Sequence, residues 1–172
     1  VNCVVLFNKR GPDFDKIDFS HFVGAIAGGT TLVKEIAEEW ISRTGGAIYE
    51  GYGLSESTGS GFCNRPESNE LGTVGVALEL SEAMIMGENG EAMPTGERGE
   101  VCLRGPHIMQ GYWQRPEATK ETIDAQGWLH TGDIGILNER GHLKIVDRIK
   151  DMILVSGFNV YPNEVEGVVY SH

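Results

Sequence analysis

The chain has 172 residues, 40% hydrophobic and 23% charged, the composition of a folded domain rather than of a disordered or collagen-like chain. Its formal charge of −11, from 14 basic and 25 acidic residues, argues against nucleic acid as a partner. Such binding rests on a basic surface that releases counterions. No apolar run approaches the roughly 18 residues of a membrane-spanning helix, and the N-terminus lacks the basic start and long apolar core of a signal peptide.

In chain order, the first readable element is an amphipathic helix over Leu32–Arg43. Leu32, Ile36 and Trp40 form one row at i, i+4 spacing, with Val33, Ala37 and Ile41 beside them. Thr31 is suited to cap its start and Gly45-Gly46 to end it. Ala47–Tyr49 is a short apolar strand running into Glu50-Gly51-Tyr52-Gly53, so helix, turn, strand and glycine loop predict an α/β arrangement. From about Leu71 short strands alternate with turns. Ala83–Met86 and Glu100–Arg104 flank Asn89-Gly90, a hairpin signal because both positions tolerate positive φ. Ile134–Leu137 and His142–Val146 flank a second turn, which makes the middle third a small antiparallel β unit. Asp147–Asp151 is a charged interruption. Met152–Val155 is a strand candidate, and Pro162 opens a helix with Val165, Val168 and Val169 on one face. One hairpin and one helix bury little core, so this last piece is expected to be the beginning of a larger domain.

Glycine is unusually frequent, with 24 residues against an average share of roughly 7%. Three cysteines, Cys3, Cys63 and Cys102, are odd in number and form no CxxC pair. They suit reduced thiols in a cytoplasmic protein, and none lies beside an evident activating His.

Four segments can carry chemistry. In Glu50–Gly59 tight glycines expose backbone amides, Ser55, Ser57 and Thr58 add hydroxyls, and Glu56 offers a carboxylate to a divalent cation. Such a set can grip a nucleotide phosphate with its Mg²⁺, or be a plain glycine-rich turn. In Gly127–Asp133 a carboxylate after a tight glycine turn suits a pair of sugar hydroxyls, or braces the turn. His130 has no identifiable partner and reads as structural. Arg148 and Lys150 are suited to phosphate, with a solvated charge run as the alternative. Asn159, Tyr161 and Glu164 line a channel or set a strand-to-helix turn.

In order, the chain reads YEGYGLSE, GEVCLRGPHIMQGYWQRPEAT, GWLHTGDIG and VDRIKDMILVSGFNVYPNEVE. This succession resembles the adenylate-forming superfamily of acyl-CoA synthetases, luciferases and peptide-synthetase adenylation domains. The wording is most similar to bacterial long-chain fatty acid–CoA ligases, and the likeness spans nearly the whole chain from about Phe14.

The resemblance implies an α/β segment over residues 1–70, a β subdomain of the same large N-domain over 71–149, and a hinge with the start of an α+β C-domain over 150–172. It implies a two-step ligase: ATP and a fatty acid give an acyl-adenylate, and coenzyme A then displaces AMP. By motif, Gly28, Gly29, Glu50, Gly51 and Tyr52, with Gly53, line the nucleotide. Ser55 contacts phosphate, Glu56 holds Mg²⁺, Asp133 takes the ribose hydroxyls with Arg148 beside it, and Lys150 sits at the hinge. Ser156 and Gly157 lie along the pantetheine path, and Asn159 near the nucleotide. Ser55 stands where the motif most often has threonine and keeps the hydroxyl. The family's phosphate loop ending in Lys and its C-terminal lysine are not among these residues, so the chain alone is expected to be an inactive fragment. The parent is expected in the cytoplasm, resting peripherally on the inner face of the membrane. Two alternatives are an adenylating enzyme that loads a carrier protein and a non-catalytic nucleotide-binding module.

Overall fold

A computed structural model describes residues 13–170, with the side chain of Tyr170 left aside. Cys3 lies outside the described residues. The first sheet has the order β1 (Gly24–Gly28), β2 (Ala47–Tyr52), β3 (Phe62–Cys63), β4 (Val76–Ala77). β1 and β2 are parallel, and the connection between them is α1 (Lys34–Thr44), as a βαβ unit requires. The first sheet runs past residue 70, because β4 pairs antiparallel with β3.

The helix sits where its periodicity places it, with one difference at its start. Val33, in extended conformation, is the N-cap in place of Thr31, and makes no side-chain cap hydrogen bond. Gly45 ends it as expected: its φ of 71° is left-handed, and its N–H reaches the Ile41 carbonyl at 2.9 Å. Ala37 is fully buried against Leu32, Ala27 and Ile48, with Trp40 and Ile41 packed beside them. Trp40 also meets Phe14, Phe19 and Phe22 in an aromatic cluster with centroids 5.8–6.5 Å apart.

The second sheet is wholly antiparallel: β5 (Glu82–Met86), β6 (Arg98–Arg104), β7 (Leu129–Leu137), β8 (Leu143–Arg148). Asn89-Gly90 does close a tight hairpin turn, with the Gly90 N–H on the Gly87 carbonyl at 3.0 Å and Met86 bridged to Ala92, although only Gly90 takes a positive φ (83°) and the chain runs on to β6 after it. β8 extends through Asp147 and Arg148, two residues beyond the expected end at Val146, and the charged segment is thus partly strand. A short helix, α2 (Pro116–Thr122), opens on proline in the β6–β7 connection.

The two sheets share a core. Phe62 from β3 packs with Ile85, Val101, Leu103, Leu129 and Leu143, all buried. The Val74 and Leu143 amides exchange hydrogen bonds with the carbonyls of Leu143 and Gly75, at 2.8 and 2.9 Å, and tie the sheets together. A 3₁₀ turn (Ile149–Asp151) then leads to the hairpin β9 (Ile153–Val155)–β10 (Phe158–Val160) and to α3 (Pro162–Tyr170). Leu154, Phe158, Val165, Val168 and Val169 are all exposed, in keeping with the thin core expected of this segment. Among the described residues no helix is long and apolar enough to cross a membrane.

Candidate functional site

The site forms where the end of β2 faces the middle of β7. Past Tyr52 the chain folds back sharply at Gly53. A Cβ there would lie 2.5 Å from the Gly59 carbonyl and the Ser60 nitrogen, so only glycine permits the approach. One 3₁₀ turn follows at Ser55–Ser57. Ser57, fully buried, accepts the Leu54 N–H at 3.0 Å, and the Gly59 N–H donates to the Leu54 carbonyl at 2.8 Å. Thr58 and Gly59, at φ 53° and 85°, close the loop. The loop thereby displays Ser55 in the open and Glu56 half-buried. Glu56 is braced from a distance: its Oε1 accepts the Tyr112 hydroxyl at 2.7 Å, and its carbonyl accepts the Met109 N–H at 2.8 Å. That hydrogen bond, with some burial, raises the Tyr112 phenol above its usual range and keeps it a donor.

Asp133 does not follow a free turn, contrary to the reading of Gly127–Asp133 from sequence. It lies inside β7, at an irregularity. Glu100 pairs with Ile134 and Cys102 with His130, so two steps on β6 face four on β7. The surplus is taken up around Gly132, whose φ is 72°. Thr131 Oγ1 donates to the Val101 carbonyl at 2.7 Å and accepts the Asp133 N–H at 3.1 Å. The buried Asp133 carboxylate receives the Tyr52 hydroxyl on Oδ2 at 2.5 Å and faces Arg148 Nε from Oδ1 at 3.2 Å. Burial first, then the hydrogen bond and charge of Asp133, push the Tyr52 phenol far above its ordinary value, so it stays protonated and donates.

Ser55, Glu56, Thr131, Asp133, Arg148 and Lys150 line one cleft of about 710 Å³. An adjoining cavity of about 550 Å³ shares Gly53, Asp133 and Arg148 with it and adds Gly29 and Tyr52. Gly28 and Gly51 are register partners on β1 and β2, where a Cβ on Gly28 would meet the Gly51 carbonyl at 3.0 Å. Residues of the Glu50–Gly59 loop, the Gly127–Asp133 run and the Arg148–Lys150 segment, with Gly29, therefore share one surface.

Gly28 and Gly51 line neither cavity, and four other expected residues stand apart. The Glu50 carboxylate is buried and accepts the Gly72 N–H at 2.8 Å. Burial raises its pKa, the amide partly offsetting the effect. It holds the loop before β4, its carbonyl accepts the Asn64 N–H at 2.8 Å, and it lines neither cavity. Ser156 and Gly157, at φ 51° and 86°, form the exposed tip of the β9–β10 hairpin and line neither cavity. Asn159 lines a different cavity of about 630 Å³, with Met152, Glu100 and His130.

The sequence reading of His130 and Cys102 is corrected as well. His130 Nδ1 lies 2.8 Å from Glu100 Oε2 and 3.7 Å from Cys102 Sγ, so the histidine has partners and one cysteine does lie beside it. The pairing crosses 28 residues and has no local signal. The buried thiol is nevertheless inert: burial, then the charges of Glu100 and Asp124, push it up to about 12. The three ligand atoms are close enough for a metal ion, but Glu100 is already spent on His130 and on the Gly132 amide.

Sequence reasoning missed Thr30, Thr31, Thr131, Tyr112 and Asp147. Thr30 and Thr31 line the 550 Å³ cavity, and the Gly-Gly-Thr-Thr run after β1 was the available signal. Asp147 accepts the Arg148 N–H at 2.8 Å and the Asn163 N–H at 3.0 Å, which seats the first turn of α3. Tyr112 lies 56 residues from Glu56, beyond any local pattern.

Residues 3–113 match the family described as AMP-binding enzyme. Among curated proteins, the long-chain-fatty-acid–CoA ligase of Escherichia coli O157:H7 is 45% identical over 170 residues, covering 97% of this chain and 30% of that protein. The ligase of the same description from Bacillus subtilis is 37% identical over 163 residues, covering 94% and 29%. The chain thus spans about a third of the length of the curated relatives it matches. Among solved structures, the anthranilate CoA ligase AuaEII in complex with anthranoyl-AMP superposes with a TM-score of 0.90 at 28% identity, over 99% of this chain and 33% of that one. A fatty acyl CoA synthetase of Mycobacterium tuberculosis gives 0.78 at 33% identity, over 100% and 34%. The order of motifs, the paired sheets and these matches agree: the chain belongs to the AMP-binding enzyme family.

Proposed function

We propose that this chain carries the nucleotide-binding cleft of an AMP-forming ligase that activates long-chain fatty acids with ATP and transfers the acyl group to coenzyme A. The observation that carries the reading is the convergence of Tyr52, Ser55, Glu56, Asp133, Arg148 and Lys150 on adjoining cavities. The likeness to long-chain-fatty-acid–CoA ligases supports the substrate class.

In this reading Asp133, oriented by Tyr52 and Arg148, accepts the two ribose hydroxyls in the bidentate manner open to a carboxylate. Ser55, exposed on the loop, donates to a phosphate oxygen. Glu56 offers a carboxylate beside that hydroxyl, a hard oxygen set suited to Mg²⁺. A divalent cation there would supply charge neutralisation between the α-phosphate and the departing pyrophosphate. Gly29, with no atom within 4 Å of where a Cβ would stand, leaves room for the base to approach the backbone, while Gly28 and Gly51 let β1 and β2 approach closely behind it.

Lys150, in the 3₁₀ turn after β8, is the proposed hinge between the N-domain and a small C-domain. Rotation there is the step that would bring Ser156 and Gly157 to the pantetheine path for attack by the coenzyme A thiol, and Asn159 toward the nucleotide. The protein is proposed to act in the cytoplasm, in peripheral contact with the membrane that holds its fatty acid.

The natural gene product containing this chain should catalyse ATP–pyrophosphate exchange that depends on a long-chain fatty acid and Mg²⁺. Failure of exchange with every fatty acid, in a protein that still binds ATP, would leave a nucleotide-binding module and sink the ligase reading.

A further inference from the structure

Glu100 lies outside the cleft and touches none of the residues that would meet ATP through its own side chain except by way of the β7 irregularity. Its two oxygens straddle that irregularity. Oε1 accepts the Gly132 N–H at 2.9 Å, and Oε2 accepts from His130 Nδ1 at 2.8 Å. Gly132 occupies the left-handed region at φ 72°, with Asp133 the next residue. From the other side Thr131 Oγ1 joins the Val101 carbonyl to the Asp133 amide. The irregular stretch of β7 is therefore held at its paired edge, His130, and within it at Thr131 and Gly132, before the chain reaches Asp133.

An unpinned bulge has no ladder partner to define it, because the surplus residues face no residue on β6. Side-chain acceptors must supply the missing definition. Glu100 is suited to this: it projects from β6 at the register position where ordinary pairing stops, and its side chain is only 20% exposed. A fixed acceptor orients the backbone on which a functional side chain is mounted.

We infer that Glu100 is a positioning residue for nucleotide binding, holding the Gly132 bulge so that Asp133 addresses the ribose. The inference rests on the assignment of Asp133 to the ribose hydroxyls. Glu100 acts through backbone geometry, so its effect falls on the hydroxyls alone and leaves the phosphate contacts as they are.

The test uses the full-length gene product, with dissociation constants measured for ATP and for 2′,3′-dideoxy-ATP. The unaltered protein should prefer ATP tenfold or more. Glu100→Ala should cut that preference below threefold while binding dideoxy-ATP within twofold of the unaltered protein. Glu100→Gln keeps an oxygen for the Gly132 amide and an atom within reach of His130, and should retain most of the preference. If the alanine variant does not fold, Glu100→Asp, one methylene too short to span both partners, should show the same loss.

An unchanged preference in a folded alanine or aspartate variant overturns the inference. So does a full loss in the glutamine variant, since charge rather than position would then be the property that matters. Equal affinity of the unaltered protein for the two nucleotides is the distinct failure, for it removes the ribose role of Asp133 itself.

Discussion

Tyr52→Phe removes one oxygen and leaves everything else about the residue in place. The ring keeps its contact with Phe62, at a centroid distance of 6.5 Å, so packing of the shared core is conserved. What disappears is the 2.5 Å hydrogen bond to Asp133 Oδ2. Asp133 is 3% exposed and cannot recover the bond fully from water, which leaves Arg148 Nε at 3.2 Å to hold the carboxylate from the other oxygen. A hydrogen bond to a charged group contributes about 1.5–3 kcal/mol. Part of that cost appears in folding and part in binding. Assigning about half to the loss of a preset carboxylate gives roughly a four- to twelvefold weaker affinity for ATP, since about 1.4 kcal/mol is one decade. Isothermal titration of the full-length protein with ATP measures it directly. Because the Tyr52 phenol is held well above its ordinary value, the hydroxyl donates from pH 6 to pH 10, and the deficit of the variant should be constant across that interval. An affinity equal to that of the unaltered protein would refute the role given to the hydroxyl. A deficit that vanished toward pH 10 would show that the phenol ionises there and that its environment has been misjudged.

Gly53→Ala places a Cβ nearly 1 Å inside ordinary contact distance of the Gly59 backbone, which has no side-chain end to yield. The Ser55–Glu56 loop must shift, and a displacement of about 1 Å at a reacting centre costs on the order of 100-fold in rate, to be read by pyrophosphate exchange. Under pulse alkylation at pH 8, Cys63, half-buried, should be modified while Cys102, fully buried and raised to about 12, is modified only on unfolding. Peptide mass spectrometry separates the two. Glu50 has a folded pKa raised by burial above its ordinary 4.5, so the protonated carboxyl favours the fold at low pH and that contribution is lost as pH rises through the folded value. Glu50→Gln, permanently neutral and still able to accept the Gly72 amide, should therefore be more stable at pH 7 and indistinguishable near pH 3. A denaturation midpoint that differs equally at both pH values would contradict it.

Several elements were legible from residues alone because their signals are local. The i, i+4 rows of α1 and the glycine at its end depend on neighbours within one or two turns, and the structure keeps both. The short runs between turns that mark β5, β6 and β8 are kept as strands, and β6 is dry on both faces, since Val101, Cys102 and Leu103 are buried in succession. The proline that starts α3 fixes φ before any tertiary contact forms. Where a rule needed more than the local chain, it erred by a small physical amount. Thr31 has a capping hydroxyl but sits two residues before the N-cap, and the hairpin turn forms with a positive φ at Gly90 and none at Asn89.

By itself the sequence determined which residue types stand in which order: the glycine loop with Ser55 and Glu56, the Gly127–Asp133 run with its carboxylate, the basic pair Arg148 and Lys150. Tertiary structure decided what each one does. Asp133 became a buried acceptor because Tyr52, 81 residues away, reaches its carboxylate, and because Arg148 is its register partner on β8. Glu50 left the ligand surface for the Gly72 amide, and His130 acquired Glu100 and Cys102 across the β6–β7 ladder. Backbone propensity acts between neighbours in the chain, whereas desolvation and hydrogen bonding act between neighbours in space, and only the folded register makes those two sets of neighbours known.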